Sequence, residues 1–298
     1  MASETVQTRQ VPVADPDAGP YGVTTGPDGA LWVTLAHAGQ VVRLPVDGQP
    51  EHHRLAPATC TPLVITSGPD GACWFTRSGD HRIGRITADG QSTWFGTASA
   101  ESSPYGITTG PDGALWFTET RTDTIGRITT SGEVTGFRLP VDGGFPSAIT
   151  AGPDDACWFT LNQADAVGRI DPDGGIRLHR LPTAGAAPVG ITRGVDGALW
   201  FVEIGAGQVG RITPDGEIRE FPLPDRAARP HAIVADPAGG CWFTDWAGNR
   251  VGHVDAEGRF RHHELPTPGA EPHGLAVGPD GAVWVALEKT GGLLRLAA

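Results

Sequence analysis

Three residues near the C-terminus of the sequence have types suited to acid–base or metal chemistry. They are Glu271, His273 and Glu288, and the other copies of the repeated unit to which they belong do not carry the three groups together. An imidazole with an ordinary pKa of about 6.5 can take a proton near neutral pH. Two carboxylates held close together repel unless they share a proton or a cation, and such hard oxygen ligands suit Mg²⁺ or Ca²⁺. Because Mg²⁺ needs only one or two carboxylates, we expect Glu271 and Glu288 to form a Mg²⁺ site. His273 would act as a base beside this ion.

The elements that must position these residues are marked by a repeat of 42 residues. Tryptophans recur at this spacing at Trp32, Trp74, Trp116, Trp158, Trp200, Trp242 and Trp284. Prolines keep the same spacing at Pro20, Pro62, Pro104, Pro146, Pro188, Pro230 and Pro272. A period of this length, with four short strand-like segments per unit, is typical of a β-propeller in which each unit forms about one blade. The sequence therefore predicts an all-β fold, a seven-bladed β-propeller with four-stranded blades.

The third copy shows the four segments most plainly. Strands A to D are predicted at residues 105–110, 114–118, 124–129 and 133–140. Apolar and β-branched runs bounded by Gly, Asp and Pro are typical of strands. The 43 glycines and 26 prolines of the chain fall at fixed places between such runs, as tight turns require. The repeated tryptophans are expected to pack between neighbouring blades, and the repeated Gly-Arg pairs to be a structural feature of strand C.

The two ends of the chain predict how the ring closes. The last copy ends with residues 293–298, which fill strand C but leave no residues for strand D. Residues 4–12 precede the first strand A without a blade of their own. We expect this N-terminal stretch to complete blade seven, because such a join closes the ring and removes an exposed edge. Residues 1–298 then form a single propeller domain.

The hairpin of strands A and B in the last blade should bring the candidate residues together. If it turns about Pro279 and Asp280, residue 271 falls opposite residue 288, and directly opposed residues have Cα atoms about 4.5–5.5 Å apart. Glu271 and His273 are two apart on one strand, so their side chains should point to the same side. His231, which lies 42 residues before His273, takes the matching position on the neighbouring blade.

Two variable positions are expected to meet at one mouth of the central channel, because strands A and B are antiparallel. The residues that open strand A are Tyr21, Leu63, Tyr105, Ser147, Val189, His231 and His273. The residues that close strand B are Leu35, Arg77, Glu119, Leu161, Glu203, Asp245 and Leu287. Such a ring of aromatic, imidazole and acidic groups predicts a solvated functional funnel more readily than a packed layer.

A less specific interpretation of these residues stays open at this point. Histidines and acids at a propeller mouth are often only solvated loop residues, and Glu271 could pair with Arg229, which takes its position one blade earlier. No convergent partners are expected for His37, His81 or His253. The histidines near outer strands, which are expected to face solvent, are His52, His53, His179, His262 and His263.

Charge and composition exclude several classes of protein. A formal net charge of −12, with no run of Lys or Arg, predicts no nucleic-acid partner. The N-terminal residues lack the basic and apolar regions of a leader, and no apolar run has spanning length, so we expect a soluble, cytoplasmic protein without a membrane partner. Cys73, Cys157 and Cys241 each precede a repeat tryptophan and are expected to pack in the core, with Cys60 a free thiol.

Longer motifs carry a resemblance to a known family. Repeats of the form Pro-x-Gly-Ile-Thr-x-Gly-Pro-Asp-Gly-Ala-Leu-Trp-Phe-Thr cover nearly the whole chain. The more specific motifs are Arg229-Pro-His-Ala, Glu271-Pro-His-Gly and Ala286-Leu-Glu. In these residues the chain resembles the virginiamycin B lyase, or streptogramin B lyase, family of seven-bladed propellers that linearise cyclic depsipeptide antibiotics. The resemblance implies that His231 contacts the substrate, that Glu271 and Glu288 bind Mg²⁺, and that His273 is the base.

The reaction that the resemblance implies is an elimination and not a hydrolysis. His273 would take the α-proton of the threonine whose side-chain oxygen forms the lactone ester, and Mg²⁺ would polarise the ester or its neighbouring carbonyl. The C–O bond would break to give a carboxylate and a dehydrated threonine, which would make the protein an antibiotic-resistance lyase. No nucleophile is needed, and the sequence has no Gly-x-Ser-x-Gly elbow.

Four aromatic residues could offer surface to such a small cyclic depsipeptide: Tyr21, Tyr105, Phe145 and Trp246. Trp246 is the most suggestive of these because it lies off the repeat. Two other functions stay open, a metal-dependent lactonase that activates water and a non-catalytic binding platform, since one fold hosts many functions. A binding platform has no need of the Glu271, His273 and Glu288 set. Closed propellers have little need of partner subunits, so we expect a monomer.

Overall fold

The computed structural model describes residues 7–297, and within this range the chain forms seven four-stranded antiparallel sheets. The innermost strand of each sheet contacts the innermost strands of the two neighbouring sheets, so the sheets form a closed ring around a central channel. The predicted seven-bladed β-propeller with four-stranded blades is confirmed. The described residues also contain two short 3₁₀ turns, Pro16–Ala18 and Ala58–Cys60.

The strands follow one another in the order A to D within each blade. Strand β1 (Gln7–Pro12) precedes blade one, which contains β2 (Pro20–Thr25), β3 (Leu31–Leu35), β4 (Gln40–Leu44) and β5 (Glu51–Arg54). Blade two contains β6 (Pro62–Ser67), β7 (Cys73–Arg77), β8 (Arg82–Ile86) and β9 (Ser92–Gly96). Blade three contains β10 (Pro104–Thr109), β11 (Leu115–Glu119), β12 (Thr124–Ile128) and β13 (Val134–Arg138). Blade four contains β14 (Pro146–Ala151), β15 (Cys157–Leu161), β16 (Ala166–Ile170) and β17 (Ile176–Arg180).

The remaining three blades keep the same order. Blade five contains β18 (Pro188–Arg193), β19 (Leu199–Glu203), β20 (Gln208–Ile212) and β21 (Ile218–Pro222). Blade six contains β22 (Pro230–Ala235), β23 (Cys241–Asp245), β24 (Arg250–Val254) and β25 (Phe260–Glu264). Blade seven contains β26 (Pro272–Val277), β27 (Val283–Leu287), β28 (Gly292–Ala297) and, as its outer strand, β1.

The ring closes through blade seven. Strand β1 pairs antiparallel with β28, with Val11 opposite Leu293 and Gln7 opposite Ala297. The N-terminal strand thus covers an edge that would otherwise present unpaired backbone groups. The predicted closure is confirmed for Gln7–Pro12, whereas residues 4–6 and Ala298 of the predicted segments lie outside the described residues.

A hydrogen-bonded triplet of Asp, Trp and Arg recurs within the blades. In blade three, Asp112 Oδ1 accepts a hydrogen bond of 2.9 Å from Trp116 Nε1, and Asp112 Oδ2 accepts one of 2.6 Å from Arg127 Nε. The aspartate–arginine pairs of the other blades that share it are Asp28–Arg43, Asp70–Arg85, Asp154–Arg169, Asp196–Arg211 and Asp280–Arg295. Blade six uses His253 in place of the arginine. The structural interpretation of the Gly-Arg pairs is therefore confirmed.

The hairpin of strands A and B contains a bulge near one channel mouth, where the register shifts by one residue. In blade three Thr118 Oγ1 accepts a hydrogen bond from the Gly106 amide at 2.8 Å and donates to the Ser147 carbonyl of the next blade at 2.5 Å. This hydroxyl satisfies backbone groups that the bulge leaves unpaired. In blade seven Ala286 takes the position of this threonine and has no hydroxyl. The bulge that contains His273 therefore lacks these two hydrogen bonds.

The interior consists of the faces between neighbouring blades. The repeat tryptophans of the first five blades are at most 1% exposed, as expected for residues that pack between blades. All four cysteines, which lie in the described part of the chain, are free and buried, in agreement with the sequence. Between residues 7 and 297 the structure contains no helix with the length and apolar character needed to cross a membrane.

Candidate active site

The seven strands A line a cavity of about 290 Å³ in the central channel. Much of its wall is glycine, valine and isoleucine, but Tyr21, Tyr105 and His231 also contribute to it. Gly274 and Leu275 of β26 complete the wall on the side of blade seven. An apolar cavity with a few polar groups is typical of a small-molecule site.

Glu271, His273 and Glu288 converge at the mouth of this channel. Each offers one ligand atom, and the three atoms all lie within 4.8 Å of one another. His273 Nε2 lies 2.5 Å from Glu288 Oε2, and both side chains are 14% exposed. Glu271 is more exposed, and its Oε2 lies 3.8 Å from Lys289 Nζ. The sequence-based grouping of the three residues therefore agrees with the geometry.

The route by which Glu271 meets Glu288 differs from the expected regular hairpin. The Glu288 amide donates a hydrogen bond of 3.1 Å to the Glu271 carbonyl, so residues 271 and 288 do lie opposite each other. This register exists only beyond the bulge, because the inner part of the hairpin is shifted by one residue. Glu271 has a φ of 51° and precedes β26, so its alignment with His273 does not come from strand alternation. The left-handed backbone and the bulge together direct both side chains to one place.

Electrostatic contacts keep Glu288 ionised. The hydrogen bond from His273 holds the pKa of Glu288 below its ordinary value, against the opposing effect of burial. The charges of His273, His37 and Lys289 act in the same direction as the hydrogen bond. A carboxylate at Glu288 implies that the shared proton resides on His273 Nε2, which donates to Glu288 Oε2.

Tyr21 of blade one stacks on His273 of blade seven, with ring centroids 4.7 Å apart and an interplanar angle of 25°. The stack depends on a close approach of β2 to β26. A Cβ at Gly274 would lie 2.5 Å from the Tyr21 carbonyl oxygen, which real side chains do not tolerate. Gly274 therefore lets the two strands approach closely enough for Tyr21 to hold the plane of the imidazole.

A chain of hydrogen bonds links the two tyrosines to His231. The Tyr21 and Tyr105 hydroxyls lie 2.9 Å apart, and the Tyr105 hydroxyl lies 3.3 Å from His231 Nε2. His231 also meets His273 edge to face, with ring centroids 4.9 Å apart. Burial, together with the neighbouring His273, lowers the pKa of His231 to about 3, so this imidazole is neutral at physiological pH. Burial raises the pKa of both tyrosines, so their hydroxyls stay protonated.

His37 belongs to the site, and the expectation that it has no convergent partner was wrong. Its Nε2 lies 3.1 Å from Glu288 Oε1, on the opposite side of the carboxylate from His273. The residue lies in the loop after β3 of blade one, where Gly19 leaves space for its ring. Closure of the ring makes blade one the neighbour of blade seven, and this relation was the only signal in the sequence that could have indicated the contact.

The residues that close strand B do not form the expected solvated funnel. Glu119, Glu203 and Asp245 are fully buried, and each is bound within or beside its own blade. Glu119 Oε2 accepts a hydrogen bond from Thr122, and Asp245 Oδ2 accepts one from Arg250 Nε at 2.8 Å. The prediction failed because these acids are buried away from the channel, whereas Tyr21, Tyr105 and His231 of strand A line the cavity.

Buried Glu203 gives the stability of the protein a testable dependence on pH. Burial raises the pKa of Glu203 from 4.5 to about 8, and its Oε2 accepts a hydrogen bond of 2.6 Å from Gln208 Nε2. Between these two pH values the folded chain holds a proton that the unfolded chain has lost, so stability falls as pH rises through this window. In the parent, the free energy of unfolding should fall by up to about 1.4 kcal/mol per pH unit in this window because of Glu203. Replacing Glu203 with glutamine should remove this contribution.

The measurement is urea unfolding of the parent and of Glu203→Gln at several pH values across that window. The variant should gain stability relative to the parent as pH rises. Glu217→Gln, which alters a surface acid, provides the matched control and should follow the parent. A constant difference between Glu203→Gln and the parent at all pH values would show that the buried carboxyl does not titrate in this range.

Two exposed aromatic residues lie near the same mouth. Trp246 follows β23 directly and Phe145 precedes β14, and both side chains are 39% exposed. Trp246 is therefore available to a ligand, but it is not part of the Glu271 cluster. The alternative pairing of Glu271 with Arg229 is not observed, because Arg229 Nη1 donates to the carbonyls of Ala227 and Ala228.

Known proteins show the same fold and much of the same sequence. A virginiamycin B lyase from Saccharopolyspora erythraea is 59% identical over 56 residues, a segment that covers 18% of this chain and 19% of that protein. A solved streptogramin B lyase is 39% identical and superposes with a TM-score of 0.94, covering 98% of this chain and 97% of its own.

A second solved structure is a catalytically inactive histidine-to-alanine variant of the virginiamycin B lyase from Staphylococcus aureus, with quinupristin. It is 38% identical, has a TM-score of 0.95, and covers 99% of this chain and 100% of its own. The model of the virginiamycin B lyase family matches residues 6–296. Because this match covers nearly the whole chain, the chain belongs to the virginiamycin B lyase family.

Proposed function

We propose that this protein is a Mg²⁺-dependent lyase that opens the lactone ring of streptogramin B antibiotics by C–O elimination at threonine, and so inactivates them. The observation that carries the proposal is the cluster of Glu271, His273 and Glu288 at the channel mouth of a member of this family. One relative is described as a streptogramin B lyase, and another was solved with quinupristin. These relatives support a small cyclic depsipeptide as the proposed substrate class.

The donor set of the cluster fits a divalent cation that prefers hard oxygen ligands. Glu271 and Glu288 would hold Mg²⁺, since one or two carboxylates suffice for an ion that keeps several of its waters. Glu288 is already ionised, and the side chains in contact with its oxygens are imidazoles and not an arginine that would compete for the cation. When bound, the ion would stabilise the negative charge that proton removal creates on the ester.

His273 would take the α-proton of the threonine. The electrons of the broken C–H bond would form the Cα–Cβ double bond, and the Cβ–O bond would break to leave a carboxylate at the other end of the opened chain. In the structure His273 Nε2 donates to Glu288, so this nitrogen could accept a substrate proton only after its own proton had moved to Nδ1 or to solvent. Cation binding by Glu288 would compete with that hydrogen bond. This competition would couple cation binding by the two glutamates to proton removal by His273.

The neighbouring aromatic and imidazole groups would bind and orient the peptide ring. His231 is neutral and hydrogen-bonds Tyr105, so it would offer a hydrogen bond to the substrate and not a charge. Tyr21 would keep the plane of His273 fixed during proton transfer through its stack. Trp246 and the cavity wall would offer apolar and aromatic surface to the side chains of the peptide.

His37 should help Glu288 to bind the cation. Its ring nitrogen orients Oε1 from the side opposite to His273, and partners of this kind typically change metal affinity by about tenfold or more. His37→Ala should therefore weaken Mg²⁺ binding, measured by calorimetry, and raise the Mg²⁺ concentration needed for half-maximal activity. His52→Ala, which removes an exposed imidazole on β5, should leave both unchanged. Unaltered Mg²⁺ affinity in His37→Ala would show that the contact is incidental.

The test of the proposed function is a chromatographic assay of a streptogramin B antibiotic incubated with the purified protein. The cyclic compound should disappear with Mg²⁺ present, persist with a chelator, and disappear again when Mg²⁺ is restored. Persistence under all conditions would favour a binding platform, and turnover that no chelator affects would remove the metal from the proposal.

A further inference from the structure

The repeat tryptophans of blades one to six are covered by aromatic rings from the outer strands of their blades. In blade three Trp116 stacks on Phe137 with ring centroids 5.5 Å apart. The corresponding pairs in the other blades are Trp32–His53, Trp74–Phe95, Trp158–His179, Trp200–Phe221 and Trp242–His263. The expectation that His53, His179 and His263 only face solvent was therefore wrong, because each covers a tryptophan.

The rings from the outer strands of blades one to five also contact the next blade. A Cβ placed on Gly174, in the turn between strands C and D of blade four, would collide with the Phe137 ring of blade three. The same relation joins Gly90 to His53 and Gly216 to His179. The ring is thus held between the tryptophan of its own blade and a glycine-containing turn of the next blade.

Blade seven lacks this ring among the described residues. Val11 lies opposite Leu293 in the same register position that Phe137 takes opposite Ile125 in blade three. Trp284 is only partly buried, whereas the other six repeat tryptophans are at most 8% exposed. The smaller side chain of Val11 leaves one face of Trp284 uncovered.

The space between Trp284 and blade one is a groove of about 350 Å³. Val11, Pro45, Val46 and Gly48 form much of its apolar wall, and Val46 is 63% exposed. A Cβ at Gly48, the counterpart of Gly174, would meet Pro45 and no aromatic ring. The groove therefore has the two walls that enclose an aromatic ring elsewhere in the fold, without the ring.

The polar groups of the groove indicate the charge of its ligand. Arg9 and Arg295 lie directly opposite each other on β1 and β28, and both line the groove. One carboxylate, Asp280, accepts a hydrogen bond of 2.6 Å from Arg295 Nε. Among the described residues Arg9 has no ion-pair partner, so the groove carries one unbalanced positive charge in a protein of net charge −12. Like charges held opposite each other on a sheet favour an added anion.

We propose that this groove binds a small aromatic carboxylate. The ring would stack on Trp284 in the place that His or Phe fills in the other blades, and the carboxylate would pair with Arg9 and the free nitrogens of Arg295. The site lies between blade seven and the turn that follows strand C of blade one, and it uses none of the residues proposed for catalysis. It does not depend on the proposed lyase function.

The experiment uses fluorine NMR of 4-fluorobenzoate titrated with the full-length protein. The parent should broaden the signal saturably, and neutral 4-fluorobenzamide should bind more weakly by about tenfold, as expected when a charge-assisted pair is lost. Val11→Phe, which supplies the missing ring, should abolish binding while circular dichroism shows an intact fold. Arg9→Gln should weaken binding by about tenfold without filling the groove.

The matched control is Trp94→Ala, which removes an exposed tryptophan of the outer strand β9 whose ring centroid lies 3.6 Å from Arg82 Cζ. Binding should be unchanged in this variant. The proposal is overturned if the parent shows no saturable broadening, if Val11→Phe and Arg9→Gln both bind like the parent, or if the benzamide binds equally well. It is also overturned if the parent is a dimer that Val11→Phe dissociates, because a protein side chain would then occupy the groove.

Discussion

His273→Ala should abolish opening of the antibiotic ring while leaving the fold intact. A positioned general base contributes about a hundredfold to ten-thousandfold to a reaction rate. Among residues 7–297, His273 is the imidazole that both contacts Glu288 and stacks on Tyr21. Because His273 lies at the channel mouth and not in the core between blades, its loss should change the melting temperature little. The measurement is the turnover rate at saturating Mg²⁺, with circular dichroism as the check on folding.

The matched control for this change is His231→Ala. This variant loses an imidazole of the same channel, but one proposed to bind substrate, so its main effect should be a raised KM for the antibiotic. His273→Ala should instead lower kcat. Full activity of His273→Ala would remove this residue as the base. The inactive histidine-to-alanine variant reported for the Staphylococcus aureus relative is a precedent for the expected result.

Glu271→Gln and Glu288→Gln should each weaken Mg²⁺ binding, and the double variant should lose it within the range that can be measured. Glutamine keeps the shape of the side chain but removes the charge that attracts a hard cation. Each single change should raise the Mg²⁺ concentration for half-maximal activity by about tenfold or more. Glu288→Gln should have the larger effect on kcat, because Glu288 also orients His273.

Calorimetric titration with Mg²⁺ separates loss of binding from loss of chemistry in these variants. Glu264→Gln, at the end of outer strand β25, removes an exposed acid of the neighbouring blade and should bind Mg²⁺ like the parent. The metal assignment is wrong if chelation leaves the activity of the parent unchanged. It is also wrong if the double variant binds Mg²⁺ with undiminished affinity.

The fold could be predicted from the sequence because its signals are periodic. Seven tryptophans and seven prolines at one spacing fix the number of blades, and the unmatched ends of the chain predict the closing strand. The pairing of residues 271 and 288 was also predictable, since it depends on counting along a hairpin. The bulge and the left-handed backbone of Glu271 were not, because residue spacing contains neither a shift of strand register nor the sign of a backbone angle.

Two parts of the site depended on information that spacing does not contain. His37 reaches Glu288 from a loop of the neighbouring blade, and only the packed ring shows where its side chain lies. Glu203 looked equivalent to the channel residues by position, yet its side chain is fully buried and accepts a hydrogen bond from Gln208 of the neighbouring strand. Periodicity thus predicted which backbone positions meet, but not the direction of each side chain.

The mass of the product formed in water enriched in oxygen-18 tests the central claim most directly. Elimination breaks the C–O bond without consuming water, so the opened antibiotic should have the same mass as the cyclic compound and contain no oxygen-18. The new double bond should absorb in the ultraviolet as a dehydrated threonine. A product heavier by one labelled water would contradict elimination and show that the cluster of Glu271, His273 and Glu288 activates water as a lactonase.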